Sequence, residues 1–545
     1  MRTLSIGATL FALIWTAGSA VSAEHPAKLM EGLGTHHHPI ATDNAEAQKF
    51  FDQGLILTFA FNHAEAIRAF EKAHELDPAS PMPLWGKALA LGPNYNIGVD
   101  PVSEKLAFDT ITEASALVAN APEREKAYVN ALRVRYSGDA NPDLNQLAQD
   151  YAKAMGELSA RYPDDLDAAT LYAESRMNLN PWKLWTSDYQ PAEGTLDIVA
   201  ILESVLARDP DHPGANHLYI HAVEASAHPE WALPAAEKLE AITHAAGHLV
   251  HMPSHIYLLV GDYRRAAERN EVASDVDHTY IEQDQVKGVY PMLYYHHNLH
   301  FVAAANAMLG RYAPAKDAAD RLLKSVMVHA GDIAEMQAFI TEYFGPYPLF
   351  IAVRFNDWEA VLASPEPDAS LPLSSGFHHY ARGVVLAAKG DIAGAEEERT
   401  ALAAIRDTLP EGTVYGYSAG ADVLGVALAV LDGRIATAKG DKKAAIGHFE
   451  TAVGIQDKLS YNEPADWYYP VRETLGAALL LDDQAAAAEA VFRADLKKSR
   501  RSGRALFGLW QSLVAQDKTE EAELVRVLYE KEWDGAEIKL ALESY

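Results

Sequence analysis

The stretch from Ala47 to Pro78, AQKFFDQGLILTFAFNHAEAIRAFEKAHELDP, decides the fold class. Its apolar residues recur at the three- to four-residue spacing of amphipathic helices. Asn62 interrupts the pattern as a turn former, and the closing proline stops the second helix. Gly54 in the first helix leaves room for a neighbour, and the second helix carries Phe70 between small residues. The stretch therefore predicts two helices joined by a short turn.

Weaker copies of this hairpin follow along the chain, each with a Gly or Asp turn before a helix rich in small residues. They are GDYRRAAERNEVA (261–273), GRYAPAKDAADRL (310–322), GDIAGAEEERTAL (390–402), GDKKAAIGHFETA (440–452) and DQAAAAEAVFRAD (483–495). The pattern resembles the tetratricopeptide repeat (TPR), a helical hairpin of about 34 residues. Spacings of up to about fifty residues between copies indicate inserted loops. We therefore expect an all-α fold, an irregular TPR helical-hairpin solenoid or superhelix.

Composition limits the classes of function. The chain of 545 residues has a formal net charge of −30 and no cysteine. Such a charge repels nucleic acids, so we expect no nucleic-acid partner. Without cysteine there are no disulfides, and a metal site must use nitrogen and oxygen ligands, with thioether as the only sulfur.

The first residues are typical of a secretion signal. Arg2 precedes an apolar run from Leu4 to Gly18, and the small residues Val21 to Ala23 suit a cleavage site. We expect residues 1–23 to be the signal peptide. No other stretch is long and apolar enough to span a bilayer, so we expect a periplasmic or secreted protein without a membrane span.

The mature chain divides, by composition, into four parts. Residues 24–45 form a leader arm that contains His36, His37 and His38 and lacks helical periodicity. Residues 46–363 form an N-terminal TPR-like region, residues 364–376 (SPEPDASLPLSSG) a linker or long loop, and residues 377–545 a C-terminal TPR-like region. The arm histidines suit a mobile metal-catching arm, a contribution to a central site, or an exposed polar leader.

Histidines are concentrated in the middle of the chain. Of 22 histidines, twelve lie between His212 and His300, in HLYIHAVE, HAAGHLVHMPSH and YYHHNLH. A spacing of four residues places two imidazoles about one turn apart on one helix face, which suits a shared metal ion. Pairs with this spacing include His217/His221, His251/His255 and His296/His300.

The repeat register gives further support to the expectation of a shared metal ion. If Ala236, Ala266 and Ala315 are the twentieth residues of three hairpins, the fifth residues are all histidine. In the TPR family the second, fifth and ninth positions of the first helices point into the concave groove. Pro253 is predicted to start a helix, which would leave His251 in a cap or loop. The candidate metal ligands are His217, His221, His248, His251, His255, His297 and His300.

Glu224 occupies the eighth position of its hairpin, where other copies have a small residue against the partner helix. A carboxylate there loses its water and needs an imidazole N–H or a metal ion as partner. We expect Glu224 to act as a catalytic base or as a group that orients a ligand. Aromatic residues in GPNYN (92–96), NPWKLW (180–185) and ADWYYPVRE (465–473) suit the wall of a groove or ordinary packing.

Together, HHHPIAT, AFNHAEAIRAF, HAVEASAHPE, GHLVHMPSHIY and YYHHNLHF resemble exported bacterial TPR proteins with a histidine-rich central region. This resemblance implies the fold and no reaction. We expect a transition metal, zinc or copper, bound by histidines on the concave face for metal handling or metal-dependent catalysis. The alternative is a TPR scaffold that binds a peptide or protein partner in its groove without metal. No Walker, Rossmann or nucleophile-elbow motif occurs, and no enzyme class is assigned.

Overall fold

The structure, a computed structural model, describes residues 27–545 and is built almost entirely of helices. The predicted signal peptide lies outside the described residues. No helix among the residues described combines the length and the apolar character that crossing a membrane requires. The helices are α1 Ala45–Phe59, α2 His63–Leu76, α3 Met82–Leu91, α4 Pro101–Leu117, α5 Glu123–Arg133, α6 Leu144–Arg161, α7 Leu166–Met177, α8 Thr195–Arg208, α9 Pro213–Val223, α10 Leu233–Ile242, α11 Gly247–His251, α12 Pro253–Val260, α13 Tyr263–Asp284, α14 His296–Met308, α15 Tyr312–His329, α16 Gln337–Phe344, α17 Tyr347–Arg354, α18 Trp358–Ala363, α19 Pro372–Ala388, α20 Ile392–Thr408, α21 Gly420–Ala438, α22 Lys442–Gln456, α23 Val471–Leu481, α24 Ala485–Lys498, α25 Gly503–Val514 and α26 Thr519–Glu532. Two short strands, β1 Val414–Tyr415 and β2 Ser418–Ala419, pair antiparallel.

The chain forms two compact units. The histidine unit comprises the described residues through Ile256 together with Val272–Tyr290. The C-terminal unit comprises Tyr257–Glu271 and Pro291–Tyr545. The Pro- and Ser-rich segment 364–376 does not divide them, because both of its neighbours, α18 and α19, lie in the C-terminal unit. Its last residues are helical, since α19 begins at Pro372 and proline is tolerated in a first helical turn.

The first hairpin has the predicted construction. The Asn62 side chain accepts a hydrogen bond from the Glu65 N–H and so begins α2 at the predicted turn. A Cβ atom at Gly54 would lie 2.7 Å from the ring of Phe70, so this position excludes any larger residue. In the C-terminal unit Gly476 meets the ring of Phe492 in the same way. Small residues opposite aromatic rings therefore set how closely the helices of these pairs approach.

The later hairpins form at the predicted turns. Gly390 and Gly440 adopt left-handed backbone angles, with φ of +80° and +77°, directly after a helix. The following residues, Asp391 and Asp441, cap the next helices through their side chains. The predicted all-α, TPR-like hairpin architecture is confirmed.

The leader, called the arm below (residues 27–44), is attached along the first helix. The Met30 N–H donates to Gln53 Oε1 at 2.8 Å, and Gln48 Nε2 donates to the carbonyl oxygen of His38 at 2.8 Å. The Ile40 N–H donates to Gln48 Oε1 at 3.0 Å. The arm thus packs as an extended segment because glutamines of α1 satisfy its backbone groups.

Candidate metal centre

Two short segments of the histidine unit supply imidazoles that come together. Helix α9 (Pro213–Val223) holds His217 and His221 about one turn apart, and α11 (Gly247–His251) holds His248. Every residue of α9 is buried. Its histidines must therefore find polar partners inside the protein.

The three imidazoles face one another. His217, His221 and His248 each place one ligand nitrogen within 4.8 Å of the other two. The ring centroid of His217 lies 4.9 Å from that of His221 and 4.9 Å from that of His248. None of the three residues is more than 2% exposed. Small ring movements would place all three nitrogens at about 2.0–2.1 Å from one ion. We call this group the three-histidine centre.

The hydrogen bonds of two of these rings determine which nitrogen faces the centre. His217 Nδ1 lies 2.6 Å from the carbonyl oxygen of Phe59, so this nitrogen carries the hydrogen and donates it. His221 Nδ1 lies 2.9 Å from Glu224 Oε1 and donates in the same way. The Nε2 atoms of both rings are buried and have no hydrogen-bond partner among residues 27–545. A donated Nδ1–H with an available Nε2 lone pair is the arrangement of metal-ligating histidines.

Glu224 lies at the C-terminal end of α9 and is 2% exposed. Its second oxygen, Oε2, lies 2.8 Å from His255 Nδ1, so each carboxylate oxygen contacts one imidazole. Burial alone would raise the pKa of Glu224, but His221 and His255 outweigh it and lower the pKa to about 2. The carboxylate thus has imidazole partners, as expected for a buried carboxylate at this position of the sequence.

Burial also controls the charge of the imidazoles. It lowers the pKa of His217 and His248 well below the usual histidine value, and neighbouring imidazoles lower both further. For His221 burial again lowers the pKa, against the opposing effect of Glu224. Neutral imidazole is the form that binds metal ions.

Aromatic rings surround the centre. The ring of Phe61 stacks on His248 at 5.4 Å, while Tyr95 and Trp182 lie 5.2 Å and 5.7 Å from His221. Tyr95 and Trp182 belong to two of the three aromatic segments expected to wall a groove. Sequence reasoning missed Phe61 and the carbonyl group of Phe59, because neither carries a residue pattern that points to a metal site.

His251 and His255 continue the polar network from Glu224. Their Nε2 atoms lie 2.8 Å apart, so one nitrogen donates a hydrogen to the other or both face a common ion. Pro253 begins α12 as expected. The expectation that His251 lies in a cap or loop was wrong, because it is the last residue of the short helix α11.

His297 and His300 belong to the C-terminal unit. The ring of His297 lies 4.9 Å from that of Phe301. His300 lies 4.2 Å from the ring of Tyr347, with two further aromatic rings near it, and burial lowers its pKa to about 3. The His300 ring thus has the surroundings of a core aromatic residue.

The arm histidines are not part of the three-histidine centre. His36 and His38 contact Asp167, and His37 contacts Asp52 at 2.8 Å. The structure therefore distributes the sequence-predicted ligands over several surroundings. Of these ligands it brings His217, His221 and His248 together, with Glu224, His255 and His251 linked behind them.

No protein-family model matches the chain, and no curated protein matches its sequence. Solved structures with a similar course of the chain include human IFIT1, as a dimer with m7Gppp-AAAA. Its sequence is 12% identical, and the match covers 91% of this chain and 92% of that chain with a TM-score of 0.32. Yeast Tom70 matches at 12% identity, over 90% of this chain and 99% of that chain, with a TM-score of 0.31. The TPR domain of P58(IPK) matches at 13% identity, over 88% of this chain and 100% of that domain, with a TM-score of 0.23. Similarity at this level says nothing about the function of this chain.

Proposed function

We propose that this protein is an exported, TPR-like protein that binds a transition metal ion through His217, His221 and His248. The observation that carries this proposal is the pair of buried, unpartnered Nε2 atoms on His217 and His221, which face the third imidazole. Each ring is held from behind by an acceptor for its Nδ1–H.

The cost of this arrangement without a ligand supports the proposal. A buried polar atom that lacks a hydrogen bond destabilises a protein by about 1–3 kcal/mol. Here two such atoms belong to histidines about one helical turn apart. A bound ion would remove this cost and would use the lone pairs that the tautomers leave available.

Zinc and copper suit the donor set best. Imidazole ligands favour zinc, copper, iron and nickel, whereas magnesium and calcium take mainly oxygen ligands. The absence of cysteine removes thiolate from the choices. In a periplasmic or secreted location, where we expect this protein, such a centre would acquire its ion outside the cytoplasm.

Metal handling fits the surroundings better than catalysis. Glu224 Oε1 accepts a hydrogen bond from His221, and Oε2 lies 2.8 Å from His255 Nδ1, so this carboxylate orients ligands and does not need to act as a base. Three aromatic rings lie against the imidazoles, where a hydrolytic centre would need room for water and substrate. We therefore assign Glu224 as a positioning residue.

Elemental analysis of the untagged protein, purified without chelator and then exposed to zinc, tests the proposal. The His217→Ala/His221→Ala variant should lose about one equivalent of metal per chain. His228→Ala is the matched control, because this histidine lies in the same unit with a side chain 54% exposed and contacts Glu230 and the ring of Trp231, away from the centre. Equal metal content in all three proteins would reject the centre and favour the alternative function, a scaffold that binds a peptide or protein partner.

A further inference from the structure

A second group of metal-ligating side chains lies where the arm meets the start of α7. His36 Nε2 lies 2.9 Å from Asp167 Oδ1, and His38 Nδ1 lies 2.7 Å from Asp167 Oδ2. Both oxygens of Asp167 thus face an imidazole of the arm. His36, with 10% of its side chain exposed, and His38, with 5%, are far less exposed than His37 between them, with 57%.

Two further side chains complete this group, which we call the arm cluster (His36, His38, Asp165, Asp167 and His212). Ligand atoms of His36, Asp167 and His212 lie within 4.8 Å of one another, and so do those of His38, Asp165 and Asp167. Asp165 is 9% exposed, and its Oδ2 atom is buried without a hydrogen-bond partner in the described part of the chain. Arg124 Nε lies 3.8 Å from this oxygen, beyond hydrogen-bond distance.

The arm cluster borders a cavity of about 460 Å³. Besides the arm, five aspartates and Arg124 line this cavity, so its wall is strongly negative. A negative wall raises the local concentration of cations. The aspartates are Asp164, Asp165, Asp167, Asp209 and Asp211.

We propose that His38, Asp165 and Asp167 bind a divalent first-row metal ion, while His36 holds the other oxygen of Asp167. Two ligand atoms at about 2.0–2.1 Å from one ion lie about 3 Å apart. The distance of 2.7 Å between His38 Nδ1 and Asp167 Oδ2 is close to this separation. The site shares no residue with the three-histidine centre and does not depend on it.

His212 supports the site without binding the ion. Its Nδ1 accepts a hydrogen bond from the Ala215 N–H at 3.2 Å, so the neutral ring carries its hydrogen on Nε2. That Nε2 lies 3.2 Å from Asp167 Oδ1 and donates to it. His212 is therefore a positioning residue that holds Asp167 toward the arm.

The donor set differs from that of the three-histidine centre. One imidazole with two carboxylates suits zinc, manganese and iron, and is a poorer match for monovalent copper. Because the arm supplies His38 as a ligand, metal binding should also hold the arm against the rest of the unit.

Zinc titration of the chelator-treated full chain, followed by calorimetry and elemental analysis, tests the proposal. The wild type should bind about two equivalents and the His36→Ala/His38→Ala variant about one. His37→Ala is the matched control, because it makes the same change in the same segment at a side chain that contacts Asp52. It should keep the full stoichiometry.

Further variants separate the two sites. Asp167→Asn keeps the shape of the side chain and should also lose one equivalent, with circular dichroism verifying the fold. If the wild type binds one equivalent that disappears only in His217→Ala/His221→Ala, the arm site is overturned and the proposed function stands. If that equivalent disappears only in the arm variants, the proposed function fails and the arm site stands.

Limited proteolysis of residues 27–44 gives an independent readout. At a zinc concentration about 100 times the dissociation constant, cleavage of the wild-type arm should slow by up to about 100-fold. The His36→Ala/His38→Ala variant should show no zinc effect, whereas His37→Ala should behave as the wild type. Zinc-independent cleavage of the wild-type arm would overturn the proposal.

Discussion

Two buried carboxylates, Glu224 in the histidine unit and Asp466 in the C-terminal unit, show opposite electrostatic behaviour. They are 2% and 5% exposed. Burial raises the pKa of Asp466 to about 6, and the hydrogen bonds that it accepts, from Asn462 Nδ2 at 2.7 Å and from groups of Ser418 and Tyr417, only partly offset this effect. Two imidazoles instead lower the pKa of Glu224 to about 2. Partners, and not depth of burial, decide whether a buried carboxylate stays ionised.

The same contrast separates two buried histidines. His221 donates its Nδ1–H to Glu224 and faces two other imidazoles, whereas His300 lies against Tyr343, Phe344 and Tyr347. Both rings are neutral through burial, which lowers their pKa values. Only His221 has the acceptor that orients a ligand. A histidine that is buried together with a carboxylate partner is therefore a candidate site residue. A histidine that is buried among aromatic rings belongs to the core.

The largest effect should come from matched substitutions of these two histidines. His221→Phe should remove about one metal equivalent, because one of three ligands of the proposed centre is lost. His300→Phe should leave metal content unchanged and alter stability by less than about 1.5 kcal/mol, because phenylalanine fits an aromatic environment of similar volume. Elemental analysis and urea denaturation measure both outcomes. Loss of metal in His300→Phe would contradict the assignment of His300 to the core.

An intermediate effect is expected for Glu224→Gln. The amide keeps the size of the side chain but cannot accept hydrogen bonds from two imidazoles as a carboxylate does. Loss of such an outer partner typically weakens metal binding by about 10- to 100-fold. Competition with a zinc-binding dye would measure the change, with Glu230→Gln as the control in the same unit, because Glu230 contacts His228, which lies outside the three-histidine centre. Unchanged zinc affinity would show that Glu224 does not orient the ligands.

A smaller effect should appear in the pH dependence of stability near Asp466. Because its folded pKa of about 6 exceeds the ordinary aspartate value of about 3.8, the folded state holds the proton more tightly, and stability falls as pH rises through this range. Relative to Asp466→Asn, the wild type should lose roughly 2 kcal/mol of unfolding free energy between about pH 4.5 and 7. Urea denaturation followed by tryptophan fluorescence suits this test, because the adjacent Trp467 is 1% exposed. A pH-independent difference between the two proteins would refute the raised pKa.

The candidate site could be predicted only in part. The i, i+4 pair His217/His221 and the burial of Glu224 follow from spacing within one short segment. Counting residues within the repeats also placed His251 and His300 at positions equivalent to His221. Equivalent positions share a helix face, but they do not have to lie in the same surroundings. His300 lies in the C-terminal unit, among aromatic rings that the counting could not foresee.

The sequence by itself determined the helical hairpins. Contacts such as Gly54 with Phe70, and caps such as Asn62, join residues within one hairpin, so local pattern and chain geometry are sufficient to predict them. Only the tertiary structure decided which histidines meet. The Phe59 carbonyl that orients His217 is 158 positions away in sequence, and Asp167 lies 131 positions from His36. Such long-range contacts depend on how the helices pack against one another, which periodicity does not encode.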